Sequence, residues 1–176
     1  VTTSSGEHSE QFAARSAFDQ DPGSDWISPG RLEAQEEWLE ILLDEPAEVQ
    51  VVSLRASGSY PEFFPQEVQI ELSNDGNSWV LVAARGGLSV DSGALLEFPF
   101  APQQARYVRI RGYNDRAHAS DLFFTGLAGV EVRKRAAELG AVQLTFLAPG
   151  DDPGRGRAAR YELRYALAPF EESSFT

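Results

Sequence analysis

Residues 67–73 read EVQIELS. Val68, Ile70 and Leu72 alternate with Glu67, Gln69 and Glu71. In an extended chain successive side chains point to opposite faces, so this period of two marks a strand with one buried face. A slip of one residue would turn the whole apolar set outward, so the register is fixed. Residues 105–113, ARYVRIRGY, repeat the pattern, with Val108 and Ile110 inward and Arg109 and Arg111 outward. Residues 126–132, GLAGVEV, set Val130 and Val132 against Glu131. Further apolar runs stand at 38–46, 49–57, 79–84 and 94–100. Turns separate them, and Asp75-Gly76 is a hairpin signal. No segment carries a helical stripe of any length, and residues 133–140 read as a linker. Many short strands between turns predict an all-β antiparallel sandwich or jelly roll.

The chain of 176 residues is 42% hydrophobic, enough to fill the core of one ordinary domain plus a fragment of another. It has no Cys, so neither disulfides nor thiolate chemistry are available. It has no Met and begins with Val1, which is read as a leader removed or a cut from a longer chain. No apolar run approaches the roughly 20 residues that span a bilayer. The net charge of −12 repels phosphate backbones and anionic lipid alike. Neither nucleic acid nor membrane is an expected partner.

Five segments occur in a telling order: SAFDQDPGSDWISP, EEWLEILLDEPAEVQVVSL, VQIELSNDGNSWVLV, FPFAPQQARYVRIRGY and GLAGVEV. Together they resemble the discoidin domain, the coagulation-factor 5/8 C-type domain, and related galactose-binding-like carbohydrate modules. The resemblance covers about residues 10–133 and implies a jelly roll that binds through loops at one end and does no catalysis. Residues 141–170 resemble two strands of a bacterial fibronectin type III domain, with Tyr161, Leu163 and Tyr165 alternating against Glu162 and Arg164. The expected organisation is a discoidin-like jelly roll at 1–133, a linker at 134–140, and the first strands of an immunoglobulin-like fibronectin type III sandwich at 141–176. Two strands alone leave unpaired edges. A continuation of the chain or a neighbouring subunit is therefore expected to cover 141–176.

The resemblance places a structural calcium at the stretch FDQDPGSDW, residues 18–26, with Asp19, Asp21 and Ser24 as ligands. Gln20 stands where the family has Gly, and Gly129 stands where its closing strand has a Glu ligand. The alternative is a turn ordered by Asp19 or Asp21 accepting backbone N–H groups. An EF-hand is excluded, because Gly23 and Ser24 hold the fifth and sixth positions and no acid stands at Gly30. Trp26, Trp38 and Trp79 fall at positions the family buries and are expected in the core.

The expected ligand site lies where residues 60–66 approach residues 113–121. Tyr60, Phe63 and Phe64 come from the first loop, and Tyr113, Asn114, Arg116, His118 and Asp121 from the second. Aromatic faces stack on sugar C–H groups, and planar polar groups bond paired hydroxyls. The alternatives are that Phe63, Phe64, Phe123 and Phe124 close the core and that the polar members are solvated. No catalytic constellation is found. His118, Ser120 and Asp121 lie too close in sequence to converge as a triad, and no nucleophile elbow or metalloprotease motif occurs. The Asp151–Gly156 region fits no phosphate loop. The expected function is a non-catalytic, secreted or cell-surface module for carbohydrate recognition or adhesion, with a glycan or surface protein as partner. The alternatives are a structural connector in a surface assembly and, more weakly, lipid binding through Phe63 and Phe64.

Overall fold

The computed structural model describes residues 2–134. The fibronectin-like segment, nearly all of the linker and whatever covers 141–176 fall outside the described residues. Eight strands lie among them: β1 (Thr2–Ser4), β2 (Trp26–Ile27), β3 (Glu36–Arg55), β4 (Glu67–Ser73), β5 (Val80–Arg85), β6 (Leu95–Tyr113), β7 (Gly126–Leu127) and β8 (Gly129–Lys134). The only helical turns among the described residues are short 3-10 pieces at Glu10–Phe12, Ala14–Phe18 and Pro61–Phe63. β8 extends through Lys134, one residue into the expected linker.

Two runs expected as separate strands, 38–46 and 49–57, are one long strand. β3 pairs Glu36 to Leu42 with the second half of β6, shifts register between Leu42 and Ala47, and then pairs Ala47 to Arg55 with the first half. Pro46 sits at this interruption, where its missing N–H loses no ladder bond. One sheet runs β1-β3-β6-β4-β5 with β8 against the far half of β3, and β2 and β7 pair in a second, two-stranded sheet. The result is an antiparallel β-sandwich.

The alternation sets the core. Val68, Ile70, Leu72, Val108, Ile110 and Val130 are buried, and Val132 packs half-buried against them. Arg109 and Arg111 point outward, as their parity requires. Phe98, Leu39, Leu54 and Trp26 belong to the same buried core.

Two tryptophans depart from expectation. Trp26 is buried, with its indole N–H donated to the Gly6 carbonyl at 3.1 Å. Trp38 and Trp79 instead lie half-buried on the outward face. The Arg109 guanidinium stands 3.6 Å from the centre of the Trp79 ring and 5.7 Å from that of Trp38. Its Nη2 bonds Glu40 at 2.9 Å, while Nη1 lies 3.7 Å from Glu71. Arg111 bonds Glu71 at 3.1 Å and Glu36 at 2.7 Å. Cation–π contacts and shared carboxylates thus cover ring surface that would otherwise meet water.

The N-terminal residues are tied down. β1 pairs with β3, and the Ser5 and His8 amides donate to Trp38 O and Ile27 O at 2.9 and 2.8 Å. Glu7 accepts the Ala14 amide at 2.7 Å. This brings the first dozen residues to the end of the sandwich where the long connections gather.

Candidate functional site

β4 and β6 pair antiparallel with Glu67 opposite Tyr113. The loop entering β4 and the loop leaving β6 must therefore be neighbours. They are joined directly: Gln66 N donates to Tyr113 O at 2.9 Å, and Asp115 N to Gln66 Oε1 at 3.0 Å. The side chain of Asn114 donates to Glu62 O at 2.9 Å and to Phe124 O at 2.8 Å. Arg116 reaches across to Phe64 O and also donates its Nε to Asn114 Oδ1 at 3.0 Å. Gly112 lies under this junction; a Cβ there would stand 2.9 Å from Pro65.

The eight expected site residues divide by these contacts. Phe64 is fully enclosed and belongs to the main core. Asn114 is buried, and both the nitrogen and the oxygen of its side-chain amide are used in bracing the loops. Arg116 is half-buried and braces them too. Phe63 is buried in a separate apolar cluster with Ile27 and Phe124, against which Phe12, Tyr60 and Leu122 pack. Tyr60 is half-buried and stacks on Phe63, with ring centres 5.3 Å apart and planes 5° from parallel. His118 meets the edge of Phe63 at 5.4 Å and of Phe124 at 5.8 Å, and its Nδ1 lies 3.0 Å from Ser120 Oγ. Tyr113 is half-buried on the outward parity of β6. Asp121 is exposed in a left-handed turn at φ 59°. With Phe63 and Phe64 both inside, neither is a spike for a lipid surface.

The N-terminal segment and the stretch leading into β3 add residues that sequence reasoning missed. His8 packs on Phe124 at 5.5 Å and Phe12 on Tyr60 at 6.1 Å. Both histidines of the chain thus flank one phenylalanine. Below them Glu37, 2% exposed, accepts Arg31 Nε at 2.6 Å and Gln35 Nε2 at 2.9 Å, and Ser5 Oγ also bonds it. The Glu37 bond holds the Arg31 pKa above its ordinary value. Arg31 bridges to Phe123 through paired backbone bonds, so this ion pair anchors the 113–125 connection to the start of β3. The only sequence sign was a charged run, RLEAQEE, ahead of a strand.

Residues 1–120 match the F5/8 type C domain. The chain belongs to the F5/8 type C family. A Clostridium perfringens carbohydrate-binding module solved with GalNAc-β-1,3-galactose is similar, at TM-score 0.65 and 18% identity over 75% of this chain and 93% of that one. A chitosan-binding module of a Paenibacillus sp. IK-5 chitosanase/glucanase matches at TM-score 0.60 and 22% identity, over 76% and 93%. The family 32 module of C. perfringens NanJ, solved with galactose, matches at 0.64 and 19%, over 75% and 91%. No match was found among curated proteins.

The F5/8 type C resemblance raised calcium at residues 18–26, and the donor set can be tested. Asp19 Oδ1 accepts the Asp21 amide at 2.9 Å, and Asp21 Oδ1 accepts the Gly23 amide at 2.8 Å. Ser24 Oγ lies within 3.1 Å of Ser16 O, Asp21 O and the Asp19 carboxylate. In this structure Ser24 Oγ and the loop amides occupy these oxygens, whereas calcium would take about 6 to 8 oxygens as ligands. Gly129 offers no side-chain oxygen, and it lines a cleft of ≈ 790 Å³ together with Asp21 and Arg55. Among the described residues no cluster of three His, Cys, Asp or Glu suits a metal ion. In this structure Asp19, Asp21 and Ser24 form a hydrogen-bonded turn. Gln20 holds the left-handed conformation, at φ 64°, that Gly would take more readily.

Asp25, next in the chain, is buried at 7% exposure. Burial pushes its carboxyl up from the ordinary range, against the lowering effect of a bond from Ser57. Its Oδ1 has no hydrogen-bond partner.

Proposed function

We propose that this chain is a non-catalytic carbohydrate-binding module of an extracellular protein. Its site is at the end of the sandwich where residues 60–66 and 113–121 meet. The observation that carries the reading is the aromatic group at that end: Tyr60 stacked on Phe63, with His118, Phe124, His8 and Phe12 around it. Tyr60 supplies a partly exposed ring face for a pyranose. His118 and the exposed Asp121 supply hydroxyl partners at its margin, with Tyr113 further out on the β6 side. Phe63, Phe64, Asn114 and Arg116 act by holding the two loops together. Similar modules were solved with galactose and with GalNAc-β-1,3-galactose, and another is named for chitosan. Neutral or amino sugars are therefore the first ligands to test.

The test is calorimetric titration of the 176-residue chain with galactose, GalNAc-β-1,3-galactose and chitosan oligomers. Binding of at least one is expected, with about a tenfold loss on Tyr60→Ala, in the range of a lost aromatic contact. No binding of any glycan on a wider array, with oligomers on a sizing column, would favour the assembly role instead.

A further inference from the structure

Asp25 stands outside the aromatic group, yet the hydrogen bonds lead from it to Tyr60. Ser57 is 1% exposed, and its Oγ donates to Asp25 Oδ2 at 3.0 Å. The same oxygen accepts the amides of Ser59 at 3.1 Å and Tyr60 at 3.0 Å. A serine hydroxyl has one hydrogen and two lone pairs, so this one is saturated. With its hydrogen directed at Asp25, both lone pairs face the loop. Tyr60 O then accepts the Phe63 amide at 3.1 Å, closing the 3-10 turn that sets Phe63 under the Tyr60 ring.

We propose that Asp25 is the positioning residue of the ligand loop: it orients the Ser57 hydroxyl, which in turn fixes the backbone of Ser59 and Tyr60. The proposal rests on the reading that Tyr60 belongs to the glycan site. Two features argue for a role beyond packing. A buried carboxylate with one oxygen left unbonded is unfavourable for stability alone. And the rest of the loop is held independently, by Ser92 Oγ to Gly58 O at 2.8 Å and Gly93 N to Ser57 O at 3.4 Å. What Asp25 adds is therefore local to the step from Ser57 to Tyr60.

Amide hydrogen exchange by NMR on the full chain tests this without any sugar. Asp25→Ala and Ser57→Ala are expected to speed exchange at Ser59 and Tyr60 about tenfold or more, with Ile70 and Val108 unchanged. Asp25→Asn keeps an acceptor oxygen for Ser57 and should stay close to the parent. Titration with GalNAc-β-1,3-galactose is expected to weaken in Asp25→Ala and recover in Asp25→Asn. An alanine variant that exchanges at the parent rate overturns the proposal, and so does an asparagine variant as loose as the alanine one. Sugar affinity unchanged by Tyr60→Ala is a different result. It refutes the placement of the glycan site, while the exchange rates still decide whether Asp25 orders the loop.

Discussion

Gln20→Gly isolates one backbone term. Gln20 sits at φ 64°, is exposed, and its side chain makes no hydrogen bond among the described residues. For an L-residue this conformation is unfavourable by roughly 1–2 kcal/mol, because Cβ crowds the following carbonyl. Glycine removes that clash. It also adds freedom to the unfolded chain, which offsets about 0.5–1 kcal/mol. The net expectation is a gain of about 0.5–1 kcal/mol, a rise in Tm of about 2–5 °C for a domain of this size. Gln20→Ala keeps the clash and should show no comparable gain. Urea denaturation of both variants, with and without millimolar calcium, is the assay. Equal stability of Gln20→Gly and the parent would refute the strain argument. Calcium binding at micromolar affinity or tighter would refute the reading of residues 18–26 as a plain turn.

Three further expectations follow from named contacts. Phe64→Ala removes a fully enclosed ring and should destabilise by about 3–5 kcal/mol, whereas Tyr60→Ala should alter stability far less and sugar binding far more; chemical denaturation beside titration separates the two. Arg109→Ala strips the cation from Trp79 and leaves Glu71 to Arg111 alone, so a loss of about 1–2 kcal/mol and a red-shifted tryptophan emission are expected. Asp75 accepts the Ser78 and Asn77 amides at 2.7 and 2.8 Å, and these, with Ser73 Oγ, hold its pKa down at about 2 from 3.8. A depressed carboxylate contributes stability above its unfolded value, and that contribution is lost as pH falls through the folded one. Asp75→Ala should therefore lower Tm at pH 7, with the difference shrinking between about pH 4 and pH 2; a difference constant across that window would refute the linkage.

Parity made most of the fold legible. The alternation at Glu67–Ser73 and at residues 105–113 identified which side chains are buried, and the pairing of Ile70 with Ile110 joins those two faces in one core. Parity says nothing about whether an outward face stays bare. Trp38 and Trp79 were expected in the core because the family buries those positions, but the Arg109 guanidinium packs on both rings on the solvent side. The arginine was legible as outward; its stacking depends on strands distant in sequence. Continuity was hidden for a similar reason. The turn-like DEP at residues 44–46 separates two apolar runs, and only the pairing with β6 shows that one strand passes through.

The site divides along the same line. That residues 60–66 meet residues 113–121 follows from strand order alone, because one loop enters β4 and the other leaves β6 beside it. Which side chains face a ligand does not follow, because loops have no period. Phe63 and Phe64 are adjacent and chemically alike, yet one joins the aromatic group and the other the main core. His8 and Phe12 lie in a polar stretch without a strand signal, and they reach the aromatic group because β1 pairs with β3 and the His8 amide bonds Ile27 O. Asp25 was hidden by its neighbours. In a run of three aspartates, the two exposed ones made a local turn, and the buried one turned inward to Ser57. Burial thus separates the three roles: Asp19 and Asp21 satisfy their own loop, while Asp25 acts on the loop that carries Tyr60.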